Sequence, residues 1–389
     1  MNILMVHPHE VYSKIEPWTV RIINFAKELV KKGHHVKVAY FPLECKSTMP
    51  FFKDGIEYFP FSRRGSLCLL FKNCLRLSEL AKWADIIHFQ KCFHYASLPS
   101  LFNSWFLDKP IHYDWDDWEE MIYCESAKPP INPVRFFIRT LEKTIPTIVD
   151  TISVTSNHLR DLCLKFGVPK DKIFLVPVGV DLEKFNPSIS GERIKRMYNI
   201  FRPLVLYLGQ LHGAQYVEMF IRASRILINN GIEADFMIVG DGARAIELKD
   251  FAKRLKLEQK IIFTGAVEHD AVPEYIAASD ITVACFEDNE ITRCKSPLKI
   301  VEYMASGKAI VASDVGEIRE MVNGCGILTK PGDANSLSQG IIRLLNDKEL
   351  CREMGQKARK RAEEKYNWNM AAENLLGAYK LALKIAKHN

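Results

Sequence analysis

Apolar residues in the first half of the chain fall into short continuous runs that alternate with longer stretches at helical spacing. Ile22, Phe25 and Leu29, for example, lie on one face of a predicted helix over 18–32. The apolar runs predict buried strands at 2–6, 36–40, 85–89, 111–113 and 151–154. Because strands that alternate with helices build a parallel sheet covered on both faces, this pattern predicts a doubly wound α/β domain.

The same alternation restarts after residue 200. The second set of apolar runs predicts strands at 204–208, 235–239, 260–263, 281–284 and 309–312. The stretch between the halves, 177–202, holds several prolines and glycines and has little periodicity, which indicates a connection between domains. We therefore predict one doubly wound domain over 1–185 and a second over 186–365. Ligands bind such sheets at the carboxyl ends of the strands, so each domain offers one crevice.

The last stretch of the chain, 366–389, has the pattern of an amphipathic helix. Trp368, Leu375 and Tyr379 lie on its apolar face. The helix either packs on the second domain, which it follows directly, or crosses back to the first. The pattern alone is compatible with both interpretations.

The composition is that of an ordinary globular protein. The 389 residues are 48% hydrophobic, and the formal net charge of +6 is not concentrated in any Lys/Arg block, so we expect no nucleic-acid partner. The ten cysteines include no C-x-x-C pair, which disfavours a zinc site. No apolar run approaches the ~20 residues of a membrane span, and the amino terminus becomes polar too early for a signal peptide. We therefore expect a cytoplasmic location.

Two predicted strands of the second domain end in glycine. Gly209 follows one strand, and the segment Gly240-Asp241-Gly242 follows the next. Glycine at a strand-to-helix turn lets backbone N–H groups approach an anion closely, although a plain turn uses glycine in the same way. Neither segment is G-x-G-x-x-G, which argues against a dinucleotide oxidoreductase.

The segment 294–308 carries the densest candidate chemistry. Ser296 and Pro297 suit the start of a helix, with Ser296 as its cap and Pro297 in its first turn. The exposed N–H groups that follow can hold a diphosphate, and Lys295 and Lys299 can add positive charge. Glu302 lies further into the helix, where an acceptor-only carboxylate suits the two vicinal hydroxyls of a ribose. The alternative for all three charged residues is an ordinary solvated helix surface.

An acidic, tryptophan-containing segment, 114–120, follows the predicted strand at 111–113. Asp116 could orient or polarise an acceptor hydroxyl, with Asp117 beside it, and Trp115 and Trp118 could stack on a sugar ring. His7, at the end of the first strand, completes this predicted acceptor-binding set. The alternatives are an acidic helix start with tryptophans in the core, and a Mg²⁺ site, which we consider the less favoured reading.

The stretch 133–139 and the helix that follows it are basic and amphipathic. Such a helix can lie on a membrane surface, as would suit a lipid-linked acceptor, or it can pack in the core.

Several of these segments together resemble one family. Residues 298–307, with 309–316 and Glu320, resemble the donor-binding signature of the retaining GT-B glycosyltransferases of family 4. The segment 176–187 is similar to that family's interdomain connection, and Trp368 is similar to the aromatic residue that opens its crossing helix. The resemblance covers essentially the whole chain. It implies two Rossmann-like domains that face a cleft and a C-terminal helix that crosses back to the first.

The resemblance also implies roles for these residues. The donor, a UDP- or GDP-sugar, would be bound by the second domain, with Glu302 on the ribose. The residues implied to bind the rest of the donor are Gly209, Gln210, His212, Gln215, Gly240, Asp241, Lys295, Ser296, Pro297, Leu298 and Lys299. The first domain would hold a glycan or lipid-linked acceptor, with Asp116 where many relatives have a cleft histidine. Transfer would retain the anomeric configuration, and no cofactor or metal is expected, because helix N-termini and basic side chains offset the leaving-group charge.

The chain departs from this family at three places. Gln210 and Gln215 stand where the family has an Arg and a Lys that clamp the diphosphate, each plausibly worth ~1.5–3 kcal/mol. Cys294 stands where the family has the first of two glutamates, and 14–17 replaces a glycine pair. We hypothesise that the lost charge is compensated by nearby basic side chains, for which the candidates are Lys299, Lys295, Arg293 and His212.

These departures leave more than one function open. The preferred hypothesis is an active transferase in which Asp116, Lys299 and Glu302 contribute to catalysis. The alternative is a weakened GT-B scaffold that binds nucleotide-sugars or regulates. An epimerase or a sugar-phosphate synthase of the same fold is a third class.

Overall fold

The computed structural model describes residues 1–12, 19–43, 49–63, 66–126, 133–212 and 216–387. Within these residues the chain forms two compact units. Unit 1 comprises Met1–Pro177 and Trp368–Asn389, and unit 2 comprises Val178–Asn367. The division thus falls earlier than the predicted 185/186. Residues that follow it bond within unit 2, since the N–H of Val180 donates to the carbonyl of Tyr366 at 2.9 Å.

Unit 1 is built on one sheet with helices on both faces. Its strands are β1 Asn2–His7, β2 His35–Tyr40, β3 Phe51–Lys53, β4 Ile56–Pro60, β5 Ile86–Gln90, β6 Ile111–Trp115, β7 Thr151–Val154 and β8 Ile173–Leu175. Its first helices are α1 Val20–Lys31, α2 Leu67–Trp83, α3 His94–Leu107, α4 Glu119–Ser126, α5 Pro133–Ile148 and α6 Asn157–Lys165. The strand order is β3-β4-β2-β1-β5-β6-β7-β8, and every neighbouring pair is parallel except β3–β4.

The antiparallel pair β3–β4 forms a hairpin at one edge of this sheet. Asp54 and Gly55 make its turn with φ of 54° and 78°. A two-residue turn with positive φ at both positions matches the right-handed twist of the strands that it joins.

Unit 2 repeats the architecture with a parallel sheet. Its strands are β9 Leu204–Leu208, β10 Asp235–Val239, β11 Ile261–Gly265, β12 Ile281–Ala284, β13 Ala309–Ser313 and β14 Ile327–Thr329, in the order β11-β10-β9-β12-β13-β14. Its helices are α7 Glu192–Met197, α8 Val217–Asn229, α9 Ala245–Arg254, α10 Val272–Ala278, α11 Glu290–Cys294, α12 Leu298–Ala305, α13 Gly316–Val322, α14 Ala334–Asn346 and α15 Lys348–Lys365. The central strands are buried on both faces, which explains their continuous apolar sequences.

The C-terminal helix α16, Trp368–Ala386, returns to unit 1. The ring of Trp368 meets Phe25 of α1 edge-on, with centroids 5.6 Å apart. The hydroxyl of Tyr379 lies 2.8 Å from Nδ1 of the buried His88 of β5. Of the two interpretations of this helix, the structure therefore supports the crossing helix. Among the helices described, including α16, none combines the length and apolarity that crossing a bilayer requires.

A buried ion pair joins α1 to the centre of sheet 1. The Nε and Nη2 atoms of Arg21 donate to the two carboxylate oxygens of Asp114 in β6, at 2.7 and 2.8 Å. Ser153 of β7 also donates to Asp114, at 2.5 Å. Burial opposes the charge of Asp114, but the guanidinium of Arg21 outweighs this effect and holds the pKa of the carboxyl well below its usual range. Both members of the pair are therefore charged at neutral pH.

Removing the carboxylate of this pair should be strongly destabilising. Asp114→Asn leaves the Arg21 charge buried without its partner, so we expect a loss of about 3–5 kcal/mol in the free energy of unfolding, measured in urea. The control is Glu373→Gln, which breaks the surface pair between Lys32 and Glu373 that also involves α1. That change should cost less than about 1 kcal/mol. Equal losses for the two variants would contradict the importance of the buried pair.

Candidate functional site

The loops at the carboxyl ends of β9 and β10 pack backbone against backbone. The N–H of Gly209 donates to Val239 at 3.0 Å, and the N–H of Leu211 donates to Asp241 at 2.9 Å. Gly209 and Gly240 have φ of 147° and 141°, and a Cβ on Gly240 would stand 1.9 Å from the carbonyl oxygen of Gly209. Gly240 is therefore required by this close approach, whether or not an anion binds beside it, and the positive φ of Gly209 is one that other residues rarely adopt.

The polar residues of these loops contribute little positive charge. Gln210 and His212 are half-buried, and Asp241 is exposed, with Oδ1 accepting from the N–H of Gly242 at 2.8 Å. Burial, with the charges of Lys295 and Lys299, lowers the pKa of His212 to about 4. His212 is thus neutral at pH 7, which removes it from the candidates for the lost charge. Gln215 and the 14–17 segment lie outside the described residues.

Lys299 places a buried amine directly below the end of β9. Its Nζ donates to the hydroxyl of Tyr207 at 3.1 Å and lies 4.3 Å from the centroid of that ring. A Cβ on Gly209 would stand only 2.5 Å from the same Nζ, which fixes the amine beside the glycine loop. Burial lowers the pKa of Lys299 to about 7, and the neighbouring charge of Lys295 acts in the same direction. A bound anion would restore its full charge.

Helix α12 begins one residue later than predicted and without a side-chain cap. Pro297, predicted in the first turn, occupies the N-cap position, and Ser296 lies before it. The hydroxyl of Ser296 accepts from the N–H of Val178 at 3.4 Å, so the prediction that it caps the helix was wrong. Because Pro297 has no side-chain acceptor, no cap occupies the first N–H groups of α12, from Leu298 onward. Such a helix start is suited to an anion.

Glu302 lies in the second turn of α12 and is only 4% exposed. Its Oε1 accepts from Nε2 of His269 at 3.1 Å. Nδ1 of His269 lies 2.8 Å from the ammonium of Lys184, which can only donate, so Nδ1 accepts and Nε2 carries the proton. Glu302 is therefore held by a neighbour and is not a solvated surface charge.

His269 is a functional candidate that the sequence analysis missed. It follows β11, at the same edge of the sheet as Gly209 and Gly240. The signal was its position just after a predicted strand, but its contact with Glu302 joins residues 33 apart in the chain.

The other departures also have structural counterparts. Cys294, the last residue of α11, is buried, so a thiol takes the place of the family's first carboxylate. Arg293 is half exposed and pairs with Asp288 at 2.7 Å and with Glu290 at 2.9 Å. Because its charge is already neutralised at the surface, Arg293 is a poor source of compensation. Lys299 and the half-buried Lys295 remain as the candidates that could compensate for the lost positive charge.

Unit 1 has its own polar cluster at the carboxyl ends of β5 and β6. The buried ammonium of Lys91 lies 3.2 Å from Asp116, 3.4 Å from Asp117 and 2.5 Å from Glu119. The amide of Gln90 donates to the second oxygen of Asp116 at 2.7 Å. Three carboxylates thus surround one ammonium. Lys91 is a second residue that the sequence analysis missed, although it ends a predicted strand just as Asp116 does.

Asp116 has the acid–base character that its predicted role needs. Burial raises its pKa to about 7, with Lys91 opposing the shift and Asp117 and Asp114 adding to it. A carboxyl that titrates near neutrality can accept or share a proton with a hydroxyl. Within the described residues, no three His, Cys, Asp or Glu side chains are arranged to hold a metal ion.

Two predicted acceptor contacts need correction. Trp115 is fully buried, its ring stacks near Tyr113, and its Nε1 donates to Glu142 at 3.2 Å. It lies in a central strand covered on both faces, so it is a core residue and cannot stack on a sugar. His7 is also fully buried, with Nδ1 2.7 Å from Oε1 of Gln90, and the amide nitrogen of the same Gln90 donates to Asp116.

Two doubly wound parallel-sheet units in one chain, with a C-terminal helix that returns to the first, define the GT-B architecture. The family model "Glycosyltransferase Family 4" matches residues 19–184, and the model "Glycosyl transferases group 1" matches 192–361. The two matches follow one another along the chain in the order of the two units. The chain therefore belongs to the group 1 glycosyltransferases.

Curated relatives agree with this family. The chain is 26% identical over 243 residues to an uncharacterized glycosyltransferase of Methanocaldococcus jannaschii, covering 60% of each chain. It is 28% identical over 181 residues to alpha-D-kanosaminyltransferase of Streptomyces kanamyceticus, covering 46% of each. The matched part of the chain therefore spans about half to three fifths of these relatives' length.

Solved structures agree with the fold. A sucrose-phosphate synthase from Thermosynechococcus elongatus superposes with a TM-score of 0.77 at 20% identity, covering 99% of this chain and 100% of that one. HepE from Anabaena, solved in complex with UDP-glucose, gives a TM-score of 0.76 at 17% identity, with 98% and 99% covered. At these identities the likeness shows the fold alone.

The contact between His269 and Glu302 should matter for donor binding. His269→Ala removes the donor that fixes Oε1 of Glu302, so we expect the KM for a nucleotide-sugar to rise about tenfold, as for one lost charged hydrogen bond. His269→Gln, whose amide can donate from a similar position, should restore most of the affinity. Glu349→Gln on α15, whose side chain is 74% exposed, is the surface control. If Ala and Gln at 269 behave alike, His269 does not position Glu302.

Proposed function

We propose that this glycosyltransferase moves a sugar from a UDP- or GDP-sugar to a glycan or lipid-linked acceptor, with retention of configuration and without a metal. The observation that carries the proposal is the buried amine of Lys299, which lies beside Gly209 at the uncapped start of α12. The carboxylate of Glu302 stands one turn further along the same helix. Together they offer partners for a diphosphate and for the sugar attached to it.

In this proposal the first N–H groups of α12 and the ammonium of Lys299 bind the donor diphosphate. Lys299 then supplies charge that the family takes from the positions of Gln210 and Gln215 in this chain. The low dielectric around the buried amine strengthens its attraction for an anion. Glu302, held through Oε1 by His269, keeps Oε2 for a ribose hydroxyl. Lys295 adds a second cation.

On the acceptor side we propose that Asp116 orients the reacting hydroxyl. Gln90 and Lys91 hold its carboxylate in one place, and its pKa of about 7 suits proton sharing at neutral pH. In the transfer step, the bond from the anomeric carbon to the diphosphate breaks and a bond to the acceptor oxygen forms on the same face. The acceptor proton passes to the departing diphosphate. Positive charge on Lys299 and the α12 dipole stabilise that leaving group.

A second candidate function rests on Cys294. A buried thiol cannot replace the charge of a carboxylate toward the donor sugar, so the chain could bind nucleotide-sugars without transferring them efficiently. Peripheral contact with the cytoplasmic face of a membrane, through the basic helix α5, belongs to the same set of proposals.

The donor site is tested by nucleotide binding to Lys299→Met. Calorimetry with UDP and GDP should show at least about a tenfold loss, since a charged hydrogen bond to phosphate is worth ~1.5–3 kcal/mol. Because the pKa of the free amine is about 7 and a bound anion raises it, wild-type binding should take up a proton and weaken as pH rises above 7. This pH dependence should vanish in the variant.

The matched control is Lys330→Met, which removes an exposed surface charge and should bind like the wild type. If Lys299→Met kept the wild-type affinity and proton uptake, Lys299 would not be the residue that binds the diphosphate. Absence of binding across a panel of UDP- and GDP-sugars would argue against the donor site as a whole. Binding without slow donor hydrolysis or transfer would favour the second candidate function.

Asp116→Asn separates the two halves of the proposed reaction. The amide can still bond to Gln90 but does not titrate, so nucleotide affinity should stay unchanged while transfer to sugar and lipid-linked acceptors falls about a hundredfold. The wild-type transfer rate should decline as pH falls through about 7, because the carboxylate is the active form. The transfer rate of the variant should not show this decline. NMR of the product's anomeric proton reports retention. If the wild type and Asp116→Asn transferred the sugar at equal rates, Asp116 would not be the residue that orients the acceptor hydroxyl.

A further inference from the structure

A cavity opens in unit 1, and two of its lining residues, Trp118 and Glu120, are next in sequence to Asp117 and Glu119 of the polar cluster around Lys91. Its volume is about 290 Å³, and it lies between α4, α5 and α6. The residues of α5 that line it are all cations: Arg135, Arg139 and Lys143. They are four residues apart, so they lie on one face of the helix, one turn above the other.

One carboxylate faces these three cations. Glu120 of α4 lines the same cavity, and its side chain is only 6% exposed. Its Oε1 lies 3.2 Å from Nε of Arg135, and its Oε2 lies 4.0 Å from Nε of Arg139. Counting the lining residues, the cavity thus holds two more positive charges than negative ones at neutral pH.

The rest of the lining is apolar and aromatic. Trp118 closes the cavity on the side of α4, and Leu162 and Phe166 close it on the side of α6. The ammonium of Lys143 lies 5.9 Å from the centroid of the Phe166 ring. The excess positive charge therefore faces a hydrocarbon wall on one side, where water screens it less than on an open helix surface.

Helix α5 extends this apolar surface outward. Phe136 is 72% exposed and is three residues from Arg139 and seven from Lys143, a spacing that puts it on the same flank of the helix. An exposed phenylalanine beside a cationic cavity is suited to a ligand with both an anionic and an apolar part.

We propose that this cavity binds the phosphate group of an amphiphile. Arg139 and Lys143 hold the phosphate, since a guanidinium and an ammonium are strong donors to phosphate oxygens. A phosphate monoester carries close to two negative charges at neutral pH, which matches the charge excess of the lining. The hydrocarbon part of the ligand lies against Trp118, Phe166 and Phe136. The proposal deepens the membrane contact proposed above for α5, and no residue of the donor site and neither Asp116 nor Lys91 lines the cavity.

Calorimetry on the full chain with hexyl phosphate, inorganic phosphate and hexanol tests the composition of the ligand. We expect hexyl phosphate to bind with a stoichiometry of one and about tenfold or more tighter than inorganic phosphate, since its alkyl chain is buried against the apolar wall. Hexanol should bind far more weakly, because it lacks the anion. If hexyl phosphate and inorganic phosphate bound with equal affinity, the proposal that the ligand is an amphiphile would be wrong, and the cavity would be a site for free phosphate.

The cavity is identified by a pair of double variants that remove the same charge. Arg139→Gln with Lys143→Gln should weaken hexyl phosphate binding by more than about tenfold, as expected for lost charged hydrogen bonds. Lys72→Gln with Arg76→Gln, on the exposed face of the basic amphipathic helix α2, should leave it unchanged. Melting temperatures confirm that both variants fold. Equal effects of the two double variants would show general surface attraction and overturn the cavity as the site.

Vesicle sedimentation distinguishes the sources of such a ligand. The chain is mixed with phosphatidylcholine vesicles with and without phosphatidic acid. Sedimentation that needs phosphatidic acid and is lost only in the Arg139/Lys143 variant supports a membrane lipid as the source. Hexyl phosphate binding without sedimentation supports a dispersed amphiphile. Sedimentation that persists in the Arg139/Lys143 variant but is lost in the Lys72/Arg76 variant contradicts the proposal for membranes.

The two proposals of function can fail separately. Lys299→Met should keep wild-type affinity for hexyl phosphate, and the Arg139/Lys143 variant should keep wild-type affinity for UDP and GDP. Loss of both ligands in either variant would indicate a folding defect, which the melting temperatures would reveal.

Discussion

The buried ammonium of Lys299 is the group on which the proposed donor site of unit 2 depends. Its amine is fixed between the ring of Tyr207 and Gly209, where a Cβ would stand 2.5 Å from Nζ, and the two loops can approach each other only because Gly240 carries no Cβ. Burial disfavours its charge, so the unliganded site is close to the point where the amine loses its proton. An anion at the start of α12 reverses that balance. In the proposed site, anion binding and protonation are therefore linked at one residue, whereas the resemblance to the family implies an Arg and a Lys for the same charge.

In unit 1 the balance of charge is opposite. Lys91 has a backbone φ of 62°, unusual for a residue other than glycine, and from that position its ammonium meets three carboxylates. Burial raises the pKa of Asp116, with Asp117 and Asp114 adding to the shift, whereas burial lowers the pKa of Lys299, with Lys295 acting in the same direction. Each unit thus holds one side chain poised near neutrality by its surroundings, at the carboxyl ends of its own sheet.

The sequence predicted most of the fold, for a clear physical reason. Central strands of parallel sheets are buried on both faces, so β1, β5, β9 and β13 read as continuous apolar runs. β3, β8 and β14 are each three residues long, and β4 alternates buried and more exposed side chains; none of them produces such a run, so all four were missed. The apolar face of α16 did not by itself specify what it packs against, and only the resemblance to the family implied that the helix crosses back to the first domain. Only the structure brings Tyr379 to the buried His88.

The site was predicted in part. Glycine and proline mark the loops around Gly209 and the start of α12, and these were found. The prediction that Ser296 caps α12 was wrong because Pro297 occupies the N-cap position. The prediction that Trp115 stacks on a sugar was wrong because strands in the core also carry large aromatic residues. His269 and Lys91 were missed because their partners lie 33 and up to 28 residues away in sequence. Local patterns do not encode such pairs.

The hairpin at the edge of sheet 1 has a consequence for solubility. Without β3, the parallel sheet would end at β4, a five-residue strand whose free N–H and C=O groups could pair with another chain. The tight turn at Asp54-Gly55 folds the preceding residues back over that strand, and the new boundary is only three residues long and ends in Lys53. A short edge strand with a charged residue at its end is a poor template for the addition of another strand. The Asp-Gly pair that makes the turn therefore also disfavours self-association through the β3–β4 edge of the sheet.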